Sequence, residues 1–266
     1  MPYWFNGQPH QGNHLEIAVD DPAFIYGATT FTTLRVYHHD LDHPLTHWSD
    51  HCQRLGQALA ACQWSDPDWP VVRQGAEWLK AEFPILRITC FPDGQELITG
   101  RPLPADLDRL QREGIMAWVA QGEVYRRSLP SYKTGNYLGS WLALRAAQRQ
   151  GAREAILTNG AGDWLETSTG NLWGWAQGQW WTPPGQAGLL PGVTRQYLLD
   201  YLQRQGLAVC QAPWTKAVVA GFEALAYANS GLQVVPIHTV LGDRSRLEFN
   251  PYHRELQALC WAFQGG

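Results

Sequence analysis

Lysine is scarce in this chain. Its 266 residues include 20 Lys plus Arg, yet lysine stands only at Lys80, Lys133 and Lys216. Arginine fills the other basic positions and stays protonated, so any amine chemistry falls to one of these lysines. Charge is also modest, with 17% charged residues and a formal net charge of -4. No basic stripe is present, which excludes a nucleic-acid binder on electrostatic grounds. The acidic stretches at Asp20-Asp21 and Asp40-Asp42 are too short to be interaction tails. Cys52, Cys62, Cys90, Cys210 and Cys260 are scattered and form no CxxC pair. That spacing argues against a disulfide framework or a metal site and for buried thiols. No run of 18 apolar residues occurs, so no transmembrane helix is expected. The opening Met1-Pro2-Tyr3-Trp4-Phe5-Asn6-Gly7 lacks a basic region followed by an apolar one, which argues against a signal peptide. A soluble cytoplasmic protein is the expectation.

What is present is enough apolar side chain for a sizeable core. The hydrophobic fraction is 45%, and the length suits one large or two modest domains. Residues 15–19 and 31–37 read as strands from β-branched and aromatic enrichment, with a loop at 20–30 between them. Residues 49–62 and 69–83 read as helices, and Ser49 is a candidate N-cap. Strands are expected at 85–91 and 115–120, and a polar loop at 121–131. Further on come helix 137–149, strands 154–158, 171–176 and 179–182, and helix 192–206. Strands 208–212, 223–228 and 233–237 and helix 251–263 complete the chain. The mixture without strict βαβ alternation predicts an α+β fold. The polar loop divides it into a small N-terminal domain, 1–120, a linker, 121–131, and a larger C-terminal domain, 132–266.

Several short motifs could carry chemistry. Ser131-Tyr132-Lys133-Thr134-Gly135-Asn136-Tyr137-Leu138 sets a lysine just before a helix, where positive charge is mildly unfavourable. A nucleophilic lysine must be neutral, and partial burial or cationic neighbours favour that form. The ordinary alternative is a solvated lysine near a helix start. Glu166, in Trp164-Leu165-Glu166-Thr167-Ser168-Thr169-Gly170-Asn171-Leu172, could hydrogen-bond a heterocyclic nitrogen, or the segment could be a plain turn. Gly188-Leu189-Leu190-Pro191-Gly192-Val193-Thr194-Arg195 runs into a helix whose free amides could bind phosphate. Asn229-Ser230-Gly231 follows a strand and could add another donor. Arg54, on the helix after His51, could pair with phosphate or with any carboxylate. Each motif alone is equally an ordinary structural feature.

Taken in order, the motifs resemble the fold-type IV pyridoxal 5′-phosphate (PLP) enzymes. The resemblance runs from Phe5-Asn6-Gly7 through Tyr26-Gly27, Phe31-Thr32-Thr33-Leu34-Arg35-Val36-Tyr37 and His51-x-x-Arg54-Leu55. It continues through Lys133-x-x-Asn136, Glu166-x-x-x-x-Asn171-Leu172, Gly188-x-Leu190-x-Gly192-x-Thr194-Arg195 and Asn229-Ser230 to Pro236. It implies two α+β domains with the cofactor between them, usually in a homodimer. It implies Lys133 as the residue that holds PLP as a Schiff base and moves the proton. Glu166 would hold the pyridine nitrogen, and Arg54, Val193, Thr194 and Ser230 the phosphate. Thr33, Arg35 and Asn229 are the candidate substrate contacts. The chain departs from the family at Gly27-Ala28-Thr29, where Gly-Asp-Gly is frequent.

Within that family the chain looks most like 4-amino-4-deoxychorismate lyases. Thr32-Thr33 stands where aminotransferases often carry Glu-Gly or Glu-Val. The Lys133-x-x-Asn136 spacing and the run Asn229 to Ile237 point the same way. The reaction implied is elimination of pyruvate from 4-amino-4-deoxychorismate, leaving 4-aminobenzoate, a folate precursor. A branched-chain or D-amino-acid aminotransferase would use the same lysine and cofactor. The substrate's carboxylates need cationic partners; Arg35 and Arg87 are candidates, with Arg87 read as a surface ion pair. The 14 Trp also suit an aromatic- or carbohydrate-binding module. The placement of Trp141, Trp173 and Trp175 in apolar segments reads instead as core.

Overall fold

The structure is a computed structural model and describes residues 1–243 and 245–264. Backbone contacts divide the described residues into two units: Met1–Pro104 with Tyr132–Asn136, and Ala105–Ser131 with the described residues from Tyr137 to Gln264.

The first unit opens with a hairpin of β1 (Pro2–Phe5) and β2 (Gln8–Gln11). Asn6 and Gly7 turn it, at φ 45° and 76°. Asn-Gly is the pair that tolerates positive φ at both positions of a tight hairpin. Residues 15–19, expected to be a strand, are irregular instead. Val19 is 85% exposed, so its apolar alternation has no surface to cover. Next come α1 (Pro22–Tyr26), β3 (Thr30–Arg35), α2 (Trp48–Cys62), α3 (Trp69–Lys80), β4 (Ile85–Cys90) and β5 (Glu96–Arg101). The sheet order is β2-β1-β5-β4-β3, antiparallel throughout.

Strand alternation gives that sheet two unlike faces. Trp4, Leu34, Leu86, Ile88 and Ile98 point into a core with Leu55, Leu59, Val72 and Leu79 of α2 and α3. The residues between them, among them Thr33, Arg35, Arg87, Thr99 and Arg101, take the other face.

The second unit contains α4 (Leu107–Glu113), β6 (Ile115–Ala120), α5 (Leu138–Arg149), β7 (Glu154–Thr158), β8 (Trp164–Thr167), β9 (Asn171–Ala176) and β10 (Gln179–Trp181). After these come α6 (Val193–Arg204), β11 (Val209–Cys210), α7 (Lys216–Ala220), β12 (Ala224–Asn229), β13 (Gln233–Leu241), β14 (Arg246–Glu248) and α8 (Arg254–Cys260). The sheet runs β11-β10-β9-β12-β13-β6-β7-β8, and β14 joins β13. A further pairing of β8 with β9 closes β9-β12-β13-β6-β7-β8 into a ring. β7 and β9 are buried along their whole length, as strands covered on both faces should be. Trp173 and Trp180 are buried, meet edge to face at 6.3 Å, and anchor the packing of α6 and α8. Trp141, read from sequence as core, is exposed. The buried face of α5 is built by Ser140, Ala143 and Ala147, and position 141 turns away from it.

These units differ from the expected division at 1–120, 121–131 and 132–266. Strand β6 is hydrogen-bonded to β7 and β13, so it belongs to the second unit. Residues 132–136 belong to the first, because Phe31 N–H donates to Lys133 C=O at 2.8 Å and Gly135 N–H to Thr29 C=O at 2.6 Å. Lys133 therefore sits on the smaller, N-terminal unit. No described helix is long and apolar enough to cross a membrane.

Gly100 tests the packing of β5. A Cβ added there would lie 2.1 Å from the Phe83 ring, which is itself buried. Gly100→Ala should cost roughly 1–3 kcal/mol, as overpacked cores do, read as a lower denaturation midpoint at unchanged m-value.

Candidate active site

Two clusters of polar side chains stand out, one on each unit.

In the first unit, Lys133 is held by its backbone. The pair Thr30–Thr134 forms a bridge, flanked by the two hydrogen bonds that tie 133 and 135 to β3 and its approach. Gly135 is required: a Cβ there would lie 2.2 Å from Thr29 Oγ1 and 2.7 Å from Gly27 O. The Gly27-Ala28-Thr29 departure is thus part of the lysine's seat. Lys133 Nζ stands 4.7 Å from the centroid of the Phe31 ring, and Arg87 Cζ 3.6 Å from the same centroid. Thr33 lies directly opposite Arg87 in the β3–β4 register. Arg35, two residues along the same face, stacks over Tyr37 at 4.8 Å. Lys133, Phe31, Thr33 and Arg87 thus form an amine beside a cationic, hydroxyl-bearing surface. Arg87, read from sequence as a surface ion pair, is exposed and stacks on Phe31.

Thr32 points to the opposite side. Arg54 Nη2 donates to Thr32 Oγ1 at 2.7 Å, and that oxygen lies 2.6 Å from His51 Nδ1. Thr32 has one hydrogen, and Arg54 only donates, so the threonine hydroxyl gives its hydrogen to His51. This places the imidazole hydrogen on Nε2. Burial holds the His51 pKa well below its ordinary value, helped by the charges of Arg54, His47 and Lys133. A neutral His51 is the form that can accept from Thr32. The chain His51–Thr32–Arg54 fixes the direction of the guanidinium.

In the second unit, Glu166 lies one residue from the end of β8 and pairs in register with Asn171 at the start of β9. Glu166 Oε1 accepts from Arg127 Nη1 at 2.7 Å, with both side chains only 6% exposed. Its Oε2 accepts from Leu190 N–H at 3.1 Å. Asn171 Nδ2 donates to Leu190 C=O at 2.9 Å. Leu190 leads into α6, whose N-cap, Gly192, has no side-chain cap. The first-turn amides of Val193 and Thr194 therefore remain for a ligand, and a helix start favours an anion. Thr194 Oγ1 and Ser230 Oγ lie 3.0 Å apart beside them. A Cβ on Gly192 would fall 2.1 Å from Asn171 Oδ1, so only glycine lets the backbone come this close. Amides, hydroxyls and an open helix start are the donor set that a phosphate takes.

Asn229, a candidate substrate contact, has its side chain engaged within its own loop and with Thr169. Its Oδ1 accepts from Gly231 and Leu232 N–H at 3.0 and 2.8 Å, and its Nδ2 donates to Thr169 Oγ1 at 3.4 Å. It shapes the loop that holds Ser230.

Arg127 and Glu154 escaped the sequence reading. Arg127 lies in the stretch taken as a linker, and no sequence signal marks its partner. Its guanidinium also stacks at 5.3 Å on Tyr137, whose hydroxyl donates to Ser168 C=O at 3.3 Å. Burial pushes the Tyr137 pKa up to about 12, so the phenol stays protonated. Glu154 does carry a signal: an acid that opens an apolar strand. It is 4% exposed and accepts from the hydroxyls of Ser168 and Thr169. Burial pushes its pKa up to about 7, against the hydroxyls that favour its charged form.

Removing Arg127 takes away the guanidinium that meets Glu166 Oε1 at 2.7 Å in a buried setting. Arg127→Met should cost about 3–5 kcal/mol, and the Glu166→Gln/Arg127→Met double variant should recover part of it, measured by denaturant unfolding. Glu154 predicts a pH effect of definite sign. Its folded pKa is raised above the ordinary 4.5 to about 7. The folded state therefore holds this proton more tightly, and Glu154's contribution to stability falls as pH rises through that window. Glu154→Gln cannot titrate. Its Tm relative to the unsubstituted protein should rise from pH 5 to pH 8; a constant difference would contradict the buried charge.

The geometry can now be set beside known proteins. Residues 29–240 match the family described as amino-transferase class IV. Among curated relatives, an aminodeoxychorismate lyase from Vibrio harveyi is 25% identical over 263 residues, covering 93% of this chain and 94% of that protein. A hypothetical aminotransferase from Mycobacterium tuberculosis, solved in its PLP-bound form, superposes with a TM-score of 0.83 at 23% identity, covering 98% of both chains. A solved structure whose own assignment as a 4-amino-4-deoxychorismate lyase is a proposal has a TM-score of 0.76 at 28% identity, covering 95% of this chain and 96% of that one. The fold is that of the two-domain α+β enzymes in the fold-type IV group. With the match spanning most of its length, the chain belongs to the amino-transferase class IV family.

Proposed function

We propose that this protein is a PLP-dependent lyase that converts 4-amino-4-deoxychorismate to 4-aminobenzoate and pyruvate. The observation that carries the reading is the pairing of Lys133 Nζ and the Arg87 guanidinium over one Phe31 ring. It puts a reactive amine beside a cation suited to a substrate carboxylate. Full-length similarity to an aminodeoxychorismate lyase supports the lyase over other members of the family. So does the hydroxyl pair Thr32-Thr33 on β3.

PLP is the cofactor of this family, and the residues present fit it. In the first unit, Lys133 would hold it covalently through Nζ, and Arg54 would pair with its phosphate. In the second, Val193 and Thr194 amides with the Thr194 and Ser230 hydroxyls would receive phosphate oxygens. Glu166 would face the pyridine nitrogen, its carboxylate steadied by Arg127 and Leu190 N–H. When bound, PLP supplies a conjugated ring that accepts the electron pair left by a departing proton.

The chain's own residues do the rest. Lys133 would remove the proton from the ring carbon that bears the substrate amine. The enolpyruvyl C–O bond breaks, the carbocycle becomes aromatic, and the departing enolate takes a proton to become pyruvate. Lys133 would return that proton. Arg87 and Arg35 bind substrate carboxylates, and Thr33 lies between them on the same face. A homodimer in the cytoplasm completes the reading.

A branched-chain or D-amino-acid aminotransferase of the same fold is the second reading, since it would use the same lysine and cofactor. One assay separates them. PLP-loaded protein is given enzymatically generated 4-amino-4-deoxychorismate, and 4-aminobenzoate is followed by its fluorescence. The lyase produces it without any keto acid, and Lys133→Ala abolishes it. Arg87→Ala should raise KM by about tenfold or more, the loss of a charge-assisted contact. A protein that holds PLP yet yields no 4-aminobenzoate overturns the lyase reading and favours the aminotransferase, which a screen of amino donors then tests.

A further inference from the structure

We propose that Glu154 is a positioning residue for the phosphate cradle, acting through Thr169 and Asn229 on the loop that carries Ser230. The proposal rests on the cofactor reading above and extends it to a residue outside the direct contacts.

The geometry is a chain of directed hydrogen bonds. Glu154 opens β7 and is buried, with Ser168 Oγ donating to Oε2 and Thr169 Oγ1 donating to Oε1 at 2.5 Å. An ionised carboxylate only accepts. Thr169 must therefore spend its single hydrogen on Glu154, and its oxygen can only accept on the other side. Asn229 Nδ2 is the donor found there, at 3.4 Å. That contact turns the Asn229 amide so that Oδ1 faces the Gly231 and Leu232 N–H groups. The loop so shaped holds Ser230 Oγ 3.0 Å from Thr194 Oγ1. A buried charge thereby sets the direction of hydroxyls at the cradle.

Protonation would scramble that direction. One oxygen of a neutral carboxyl is a donor, so the hydroxyl facing it must turn and accept. Thr169 then has no fixed hydrogen direction, and the link to Asn229 loosens. The groups that face Glu154 are Tyr227 on β12 and Tyr137 before α5, with Arg153 adjacent in the chain. Arg127 and Glu166 lie beyond Tyr137. Strand β6 presents Ala117 in register. Burial holds both tyrosines neutral, Tyr227 well above its ordinary value. Glu154, raised to about 7, is the member of this group that changes charge near neutrality. The link should hold above that pH and slacken below it.

The test is PLP binding to the apo-protein, followed by tryptophan fluorescence at pH 6 and pH 8. The unsubstituted protein, Glu154→Gln and Thr169→Ala are compared. Ionisation of PLP itself affects all three alike, so ratios of Kd isolate the protein's part. Between pH 6 and pH 8 the unsubstituted protein should gain about fivefold in affinity relative to Glu154→Gln, the worth of one ordinary hydrogen bond. Thr169→Ala trims an exposed side chain and leaves Glu154 in place. It should bind PLP about fivefold more weakly than the unsubstituted protein at pH 8 and nearly as well at pH 6. A merely structural glutamate would weaken binding equally at both pH values. A Kd ratio that does not change with pH, or a Thr169→Ala variant that binds like the unsubstituted protein at pH 8, overturns the proposal. If the unsubstituted protein binds no PLP at either pH, the cofactor reading fails, and the proposal with it.

Discussion

The second unit depends on how its strand ring closes. β8 and β9 meet at one residue pair, Glu166 and Asn171. Both side chains then grip the same residue, Leu190: the carboxylate takes its N–H and the carboxamide its C=O. Leu190 stands just before Gly192 and α6. The closure of the sheet, the aim of the helix start and the placing of the acid are thus one constraint. A buried carboxylate is costly unless paired, and Arg127 meets that cost at 2.7 Å. Without the closing pair the helix amides would have no fixed direction, and the cradle of Thr194 and Ser230 would lose one wall.

The first unit solves a different problem, holding a long flexible side chain near one place. It does so through backbone, since Lys133 and Gly135 are hydrogen-bonded to the chain around β3. The side chain then rests over Phe31, with Arg87 on the same ring. On the far side of β3, burial keeps His51 neutral, and a neutral His51 can accept from Thr32 and so direct Arg54. Strand alternation divides the labour, because Thr33 and Thr32 are neighbours in sequence but face opposite ways. Both units thus use buried polar chains whose hydrogen directions are forced rather than chosen.

Much of the candidate site was legible because its residue types are chemically unusual where they stand. A rare lysine ahead of a helix, Gly192 at a helix start, and Asn229-Ser230 after a strand are local features, and the order of motifs added the rest. The core helices 48–62 and 69–80 were legible from periodicity. Less legible were elements with weak local patterns. The 2–11 hairpin depends on two residues, Asn6 and Gly7, and the expected strand at 15–19 has the pattern without a surface to pack on. Arg127 was hidden because its partner is 39 positions away and nothing near it in sequence announces an ion pair. Trp141 was misread because apolar character does not say which side of a helix is covered.

The sequence alone determined the family and the α+β class, the first through the resemblance that its motifs carry in their order and the second through its mixed helix and strand patterns. Tertiary structure decided the division into units. Lys133 follows the polar loop in sequence, yet its backbone bonds go to β3; β6 precedes that loop, yet its ladder partners are β7 and β13. Backbone groups pair with whatever strand comes alongside, so membership in a unit is set by hydrogen bonds between distant segments. The directions in which the pKa values of His51 and Glu154 shift were likewise set chiefly by burial, a property that no single position in the sequence carries.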